Sequence, residues 1–129
     1  MKASELRIGN YVLLDDKGVY QIDSGHDIEE IDSFPFDNPY CQGVPLTEQW
    51  LKDFGFKPRG AGFLINTNRI TALRLDSTSF ILDENTRFYV TLHHGKDIVH
   101  SKRIKYVHQL QNLYFALTGE ELKLKNESN

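Results

Sequence analysis

Apolar and polar residues alternate near the start of the chain. Tyr11, Val12, Leu13 and Leu14 run into Asp15-Asp16-Lys17-Gly18, and Val19, Tyr20, Gln21 and Ile22 follow. Two short apolar runs joined by turn formers predict a β-hairpin. Residues 28–31 predict a third strand, diluted by acids. The stretch 33–45, which carries Pro35, Pro39, Gly43 and Pro45, predicts a loop crossing the surface. Thr47 is placed to cap a short helix at 47–55, with Trp50, Leu51 and Phe54 on its apolar face and Gly55 as the left-handed closing residue.

Beyond a Gly-rich turn at 60–62, Phe63-Leu64-Ile65 and residues 70–75 predict two strands. Phe80-Ile81-Leu82 and residues 87–92 predict two more, separated by the turn formers Asp83-Glu84-Asn85. From about Lys102 to Thr118 the period lengthens to roughly 3.6, because Tyr106, Val107, Leu110, Leu113, Tyr114 and Leu117 line one helical face, and Gly119 ends the helix. Strands in runs with inserted helices predict an α+β fold: a twisted antiparallel meander of six to seven strands, covered by a C-terminal amphipathic helix. The expectation is a single domain over 1–119 and a polar tail, 120–129, that frays.

Composition leaves that picture intact. With 129 residues, 40% apolar, 12% aromatic and 26% charged, the chain has ordinary globular composition and is long enough for one core. The lone Cys41 forms no intramolecular disulfide, and with no basic-then-apolar leader in view the expected setting is the reducing cytoplasm. No apolar run reaches membrane-spanning length.

Charge adds more. The net charge of −3 disfavours a general affinity for double-stranded nucleic acid, but its distribution is uneven. Residues 15–32 sum to −6, with only Lys17 opposing seven acids, whereas 93–108 sum to +3 before their four histidines are counted.

Three stretches, Leu6-Arg7-Ile8-Gly9-Asn10-Tyr11-Val12, the segment from Pro45 to Phe56 (PLTEQWLKDFGF), and the segment from Tyr106 to Leu122 (YVHQLQNLYFALTGEEL), resemble a family of small uncharacterised proteins of bacterial genomes, phages and prophages. They cover about a third of the chain. The resemblance implies an accessory role on a mobile element, a setting that favours binders which blunt host defences, and it carries no catalytic residues.

The basic segment is the sharpest chemical feature. If Ser101 caps the last helix, Lys102 and Arg103 occupy its first turn, where the positive end of the macrodipole disfavours cations. A bound anion would compensate, held by first-turn N–H groups, with Lys96, His100 and Lys105 extending the cradle. The alternatives are that the helix begins later, near Lys105, or that acids from 15–32 lie beside the segment.

Other constellations say less. His93-His94 is an adjacent pair that would point to opposite sides of a strand, so no metal site is expected. Cys41 lacks a nucleophile signature, and Gly60-Ala61-Gly62 lacks the glycine spacing and Lys-Ser/Thr of a phosphate loop. No cofactor is expected.

The leading expectation is a non-catalytic protein that sequesters a small phosphorylated, nucleotide-type ligand through Lys96, His100, Ser101, Lys102, Arg103 and Lys105, with oligomerisation completing the pocket. The alternative is a protein-interaction module that docks on a host protein through an acidic face, with Asp23, Asp27 and Glu29, or through the Phe34-Pro35-Phe36 loop. A small enzyme acting on a nucleotide is the third class.

Overall fold

The computed structural model describes residues 3–32, 40–60, 62–66, 71–77, 88–94 and 97–125. Along the chain its elements are β1 (Tyr11–Leu14), β2 (Gly18–Gln21), α1 (Gly25–Ile31), β3 (Cys41–Gly43), α2 (Glu48–Asp53), β4 (Lys57–Arg59), β5 (Gly62–Asn66), β6 (Thr71–Ser77), β7 (Phe88–His94), β8 (Asp97–Ile104) and α3 (Val107–Thr118). The class is α+β, with antiparallel pairing throughout. The chain divides into two compact units, Met1–Val44 with Tyr106–Glu121, and Pro45–Lys105 with Leu122–Asn129.

The first unit is a three-stranded sheet in the order β2-β1-β3, with α1 and α3. The predicted hairpin forms, Leu14 opposite Gly18, and Gly18 takes the left-handed conformation (φ +73) that its turn needs. Leu6, Val12, Ile22, Ile31 and Cys41 make its core. Each large apolar side chain so buried contributes about 1.5–3 kcal/mol. α3 lies against β1 and buries Val107, Leu110 and Tyr114, the i, i+3, i+7 positions of the predicted stripe; Leu117 at its end is exposed.

Two sequence expectations change here. Residues 28–31 belong to a helix rather than a strand, because Ser24 caps it, its Oγ accepting from Asp27 N at 3.4 Å, and Asp27 suits the positive end of the helix. Within 33–45, Cys41–Gly43 is a strand that pairs with β1.

The second unit is a five-stranded meander, β4-β5-β6-β7-β8, with α2. Phe63, Leu73, Leu75, Phe88, Val90 and Ile104 are buried, whereas the residues between them, Arg74, Asp76, Tyr89 and Arg103, carry polar groups on the opposite face. α2 forms where predicted: Thr47 Oγ1 accepts from Trp50 N at 3.4 Å, Leu51 and Phe54 are buried, and Gly55 has φ +98. The edge strand β4 is Lys57-Pro58-Arg59, all exposed, a composition that resists pairing with another strand.

The tail is not simply frayed. Glu121 pairs with Arg7 at 2.6 Å and Leu122 is 5% exposed. The expected strand at 80–82 lies outside the described residues.

Candidate functional site

The basic cradle at a helix N-terminus does not exist. α3 begins at Val107 with Tyr106 as its N-cap, and its first turn, Val107-His108-Gln109-Leu110, holds no Lys or Arg. His100, Ser101, Lys102 and Arg103 lie on β8, an extended strand paired with β7, so no helix macrodipole makes a demand for an anion there. Lys105 follows the strand, half-buried, with its carbonyl accepting from Leu46 N at 2.8 Å. Lys96 lies outside the described residues.

The β7–β8 register shows what the strand does with these residues. Tyr89 is opposite Arg103 and Thr91 is opposite His100, so Val90 alone spans the two residues Ser101 and Lys102. That is a β-bulge on an edge strand. It brings positions 100 and 103, which a regular strand would send to opposite faces, onto the same face as Tyr89.

The acidic segment is organised differently. Asp23 precedes α1, and Asp27 and Glu29 lie on it. Asp27 is a local hub: its Oδ2 accepts from the Tyr20 hydroxyl at 3.0 Å and from Asp23 N at 3.1 Å. The side chains of Asp23 and Asp27 share a hydrogen bond and repel through charge. Asp23 is therefore held above the ordinary carboxylate range, and Asp27, which receives the Asp23 backbone N–H, below it. The same hydrogen bond to Asp27 is the main reason that the Tyr20 hydroxyl is shifted up.

Beside this hub the first unit has an open hollow of about 180 Å³. Leu14, Ile31 and Cys41 supply its apolar lining, and Asp16, Asp27 and Glu30 its carboxylates. Tyr20 and Tyr40 are its aromatics, with Tyr40 56% exposed, and Lys17 holds its ammonium 4.9 Å from the centre of the Tyr20 ring. Of the residues assigned to a binding site from sequence, only Asp27 lines this hollow. Asp23 supports it from beside Asp27, Glu29 is exposed on α1, and Phe34 and Phe36 lie outside the described residues. Asp16, Tyr20, Glu30 and Tyr40 were missed because only the helical geometry of α1 and the return of the chain through β3 bring them together; the dense acids of 15–32 were the available signal.

Among the described residues no three His, Cys, Asp or Glu side chains gather as a metal site would require, and no helix is long and apolar enough to cross a membrane. The fold defines an α+β protein with two antiparallel sheets, and its first unit carries an acidic, aromatic hollow. No family model, curated protein or solved structure matches the chain.

Proposed function

We propose that the protein is a non-catalytic interaction module whose acidic hollow receives a basic side chain from a partner protein. The observation that carries this reading is the composition of the hollow: an apolar lining suited to the methylene stem of Lys or Arg, three carboxylates for the charged head, and two tyrosines able to face a cation. Lys17 over Tyr20 is an internal example of the contact a partner's cation would make. Excess negative charge over 15–32 would steer a basic segment toward the hollow and make association fall with salt. In the mobile-element setting that the resemblance implies, such docking would occupy a basic surface of a host protein.

The test is calorimetry with an Arg/Lys-rich peptide at low salt, comparing the native chain with Asp27→Asn/Glu30→Gln. Exposed carboxylates at a binding rim change affinity mainly through association, so loss of most of the binding in the double variant is the expected result. Equal affinity for both proteins would remove the hollow from consideration.

A further inference from the structure

The acidic hollow already holds a cation of the chain's own. Lys17 stands exposed in the turn between β1 and β2, and its side chain reaches over Tyr20 with Nζ 4.9 Å from the ring centre. Tyr20 is half-buried, packs against the core of the first unit, and ties its hydroxyl to Asp27 Oδ2 at 3.0 Å. The ring is therefore held in place with only part of its surface open to a cation, and Lys17 lies over it.

No ion pair fastens Lys17 there. Asp16, Asp27 and Glu30 line the same hollow, yet no carboxylate comes within ion-pair distance of the Lys17 ammonium among the described residues. Two of those carboxylates have other fixed partners: Asp27 accepts from Tyr20 and from Asp23 N, and Glu30 faces His26 Nε2 at 3.0 Å. Their hydrogen bonds dominate the ionisation of Asp23 and Asp27, and the Lys17 charge adds a lesser downward pull on both, as a nearby cation does without direct contact.

An exposed cation–π contact is weak, and a lysine stem is flexible, so Lys17 can leave at small cost. A second cation cannot share the open part of the Tyr20 ring with it. A partner's Lys or Arg head entering the hollow meets a like charge at short range until Lys17 swings out, after which the ring and the surrounding carboxylates face the newcomer alone.

We propose that Lys17 is an intramolecular stand-in for the partner's basic side chain, seated on Tyr20 in the free protein and displaced into solvent when the partner docks. The inference rests on the reading of the hollow as a docking site and adds its regulation. A competitor tethered beside the site acts at high effective concentration, so isolated cations and weakly basic segments are turned away, and the hollow answers to segments able to outcompete its own lysine.

The test uses the full chain and the Arg/Lys-rich peptide. In the free protein the Lys17 Hε protons should lie upfield of their random-coil position, through the Tyr20 ring current, and should return toward it as the peptide saturates the hollow. By calorimetry Lys17→Gln should bind the peptide about three- to tenfold more tightly than the native chain, as loss of one exposed cation–π contact and one like charge implies. Lys17→Arg keeps the contact and should bind as the native chain does. Lys57→Gln removes the same charge from the exposed edge strand of the second unit and should change the affinity less than about twofold at 0.15 M salt.

Random-coil Hε shifts in the free protein would overturn the proposal. So would upfield shifts that persist at saturation, since the two cations would then coexist. Equal affinity in Lys17→Gln and the native chain would overturn it too, as would an equal gain in Lys57→Gln, because net charge alone would then account for the effect. The two readings fail separately: peptide binding by the native chain but not by Asp27→Asn/Glu30→Gln keeps the hollow whatever Lys17 does, whereas binding by none of these proteins removes the hollow and the role of Lys17 together.

Discussion

The backbone N–H of Tyr11 donates to the side-chain oxygen of Gln111 at 2.9 Å, across 100 positions of sequence. Gln111 is 1% exposed, and its Nε2 donates to the Gly9 carbonyl at 2.8 Å, so one side chain satisfies both a donor and an acceptor of the chain entering β1. Alongside it, Asn112 Oδ1 accepts from Asn10 Nδ2 and from Arg7 Nε, both at 2.9 Å. The Arg7 guanidinium lies 4.3 Å from the centre of the Phe115 ring. Residues 7–11 and 111–121 thus bind each other, which gives their side chains a structural role.

Gln111→Leu should destabilise the protein by about 1–3 kcal/mol, because it removes two hydrogen bonds that a buried side chain makes to the chain entering β1, while the Gly9 carbonyl keeps its bond from Gln21 Nε2 at 3.2 Å. Glu121→Gln removes a half-exposed ion pair with Arg7 and should cost below about 1 kcal/mol. Urea denaturation of both variants checks the order; equal costs would contradict it.

His108 is 2% exposed, and neither ring nitrogen has a hydrogen-bond partner among the described residues. Burial pushes its pKa below 6.5, with the Glu5 charge opposing weakly. A histidine depressed in the folded state binds fewer protons than in the unfolded chain, so its contribution is complete above the unfolded pKa of about 6.5 and is lost as pH falls below it. Melting temperatures from pH 8 to 5 should decline below that point in the native chain, and His108→Phe should flatten the decline. Parallel profiles would show that other groups set it.

A carbon-detected titration of the aspartates should place Asp23 above and Asp27 below the ordinary carboxylate pKa of 3.8. Asp27→Asn removes the negative partner and should return Asp23 toward that value. An unmoved Asp23 would mean that the two carboxylates do not interact.

A methyl group added at Gly43 would meet the Tyr106 ring at 2.5 Å, and that ring stacks on His108 with centroids 5.7 Å apart. Gly43→Ala should therefore cost about 1–3 kcal/mol through overpacking. Adding Tyr106→Ala should recover part of the loss in a double-mutant cycle, and strict additivity would exclude the contact.

What the sequence disclosed was local. The hairpin at 11–21 and the α2 cap at Thr47 follow from turn and capping chemistry carried by neighbouring residues. Of the two starts expected for α3, near Lys102 or later near Lys105, the later one is close to the observed Val107; Ile104, though spaced from Val107 and Leu110 like a helical stripe, is buried on a strand opposite Phe88. Nothing local separates the two periods; pairing with β7 decides between them. The same limit hid the hollow, since it needs β3 brought beside β1.

Because the first unit joins Met1–Val44 to Tyr106–Glu121, its assembly is tied to the order of synthesis. A ribosome adding about 5–20 residues per second releases Tyr11 roughly 5–20 s before Gln111, and for that interval the N-terminal hairpin has no helix to rest on. The strands of the meander emerge meanwhile and can pair. A message that stops short of codon 111 would thus yield a chain whose first half stays open, a substrate for chaperones and proteases rather than a smaller working protein.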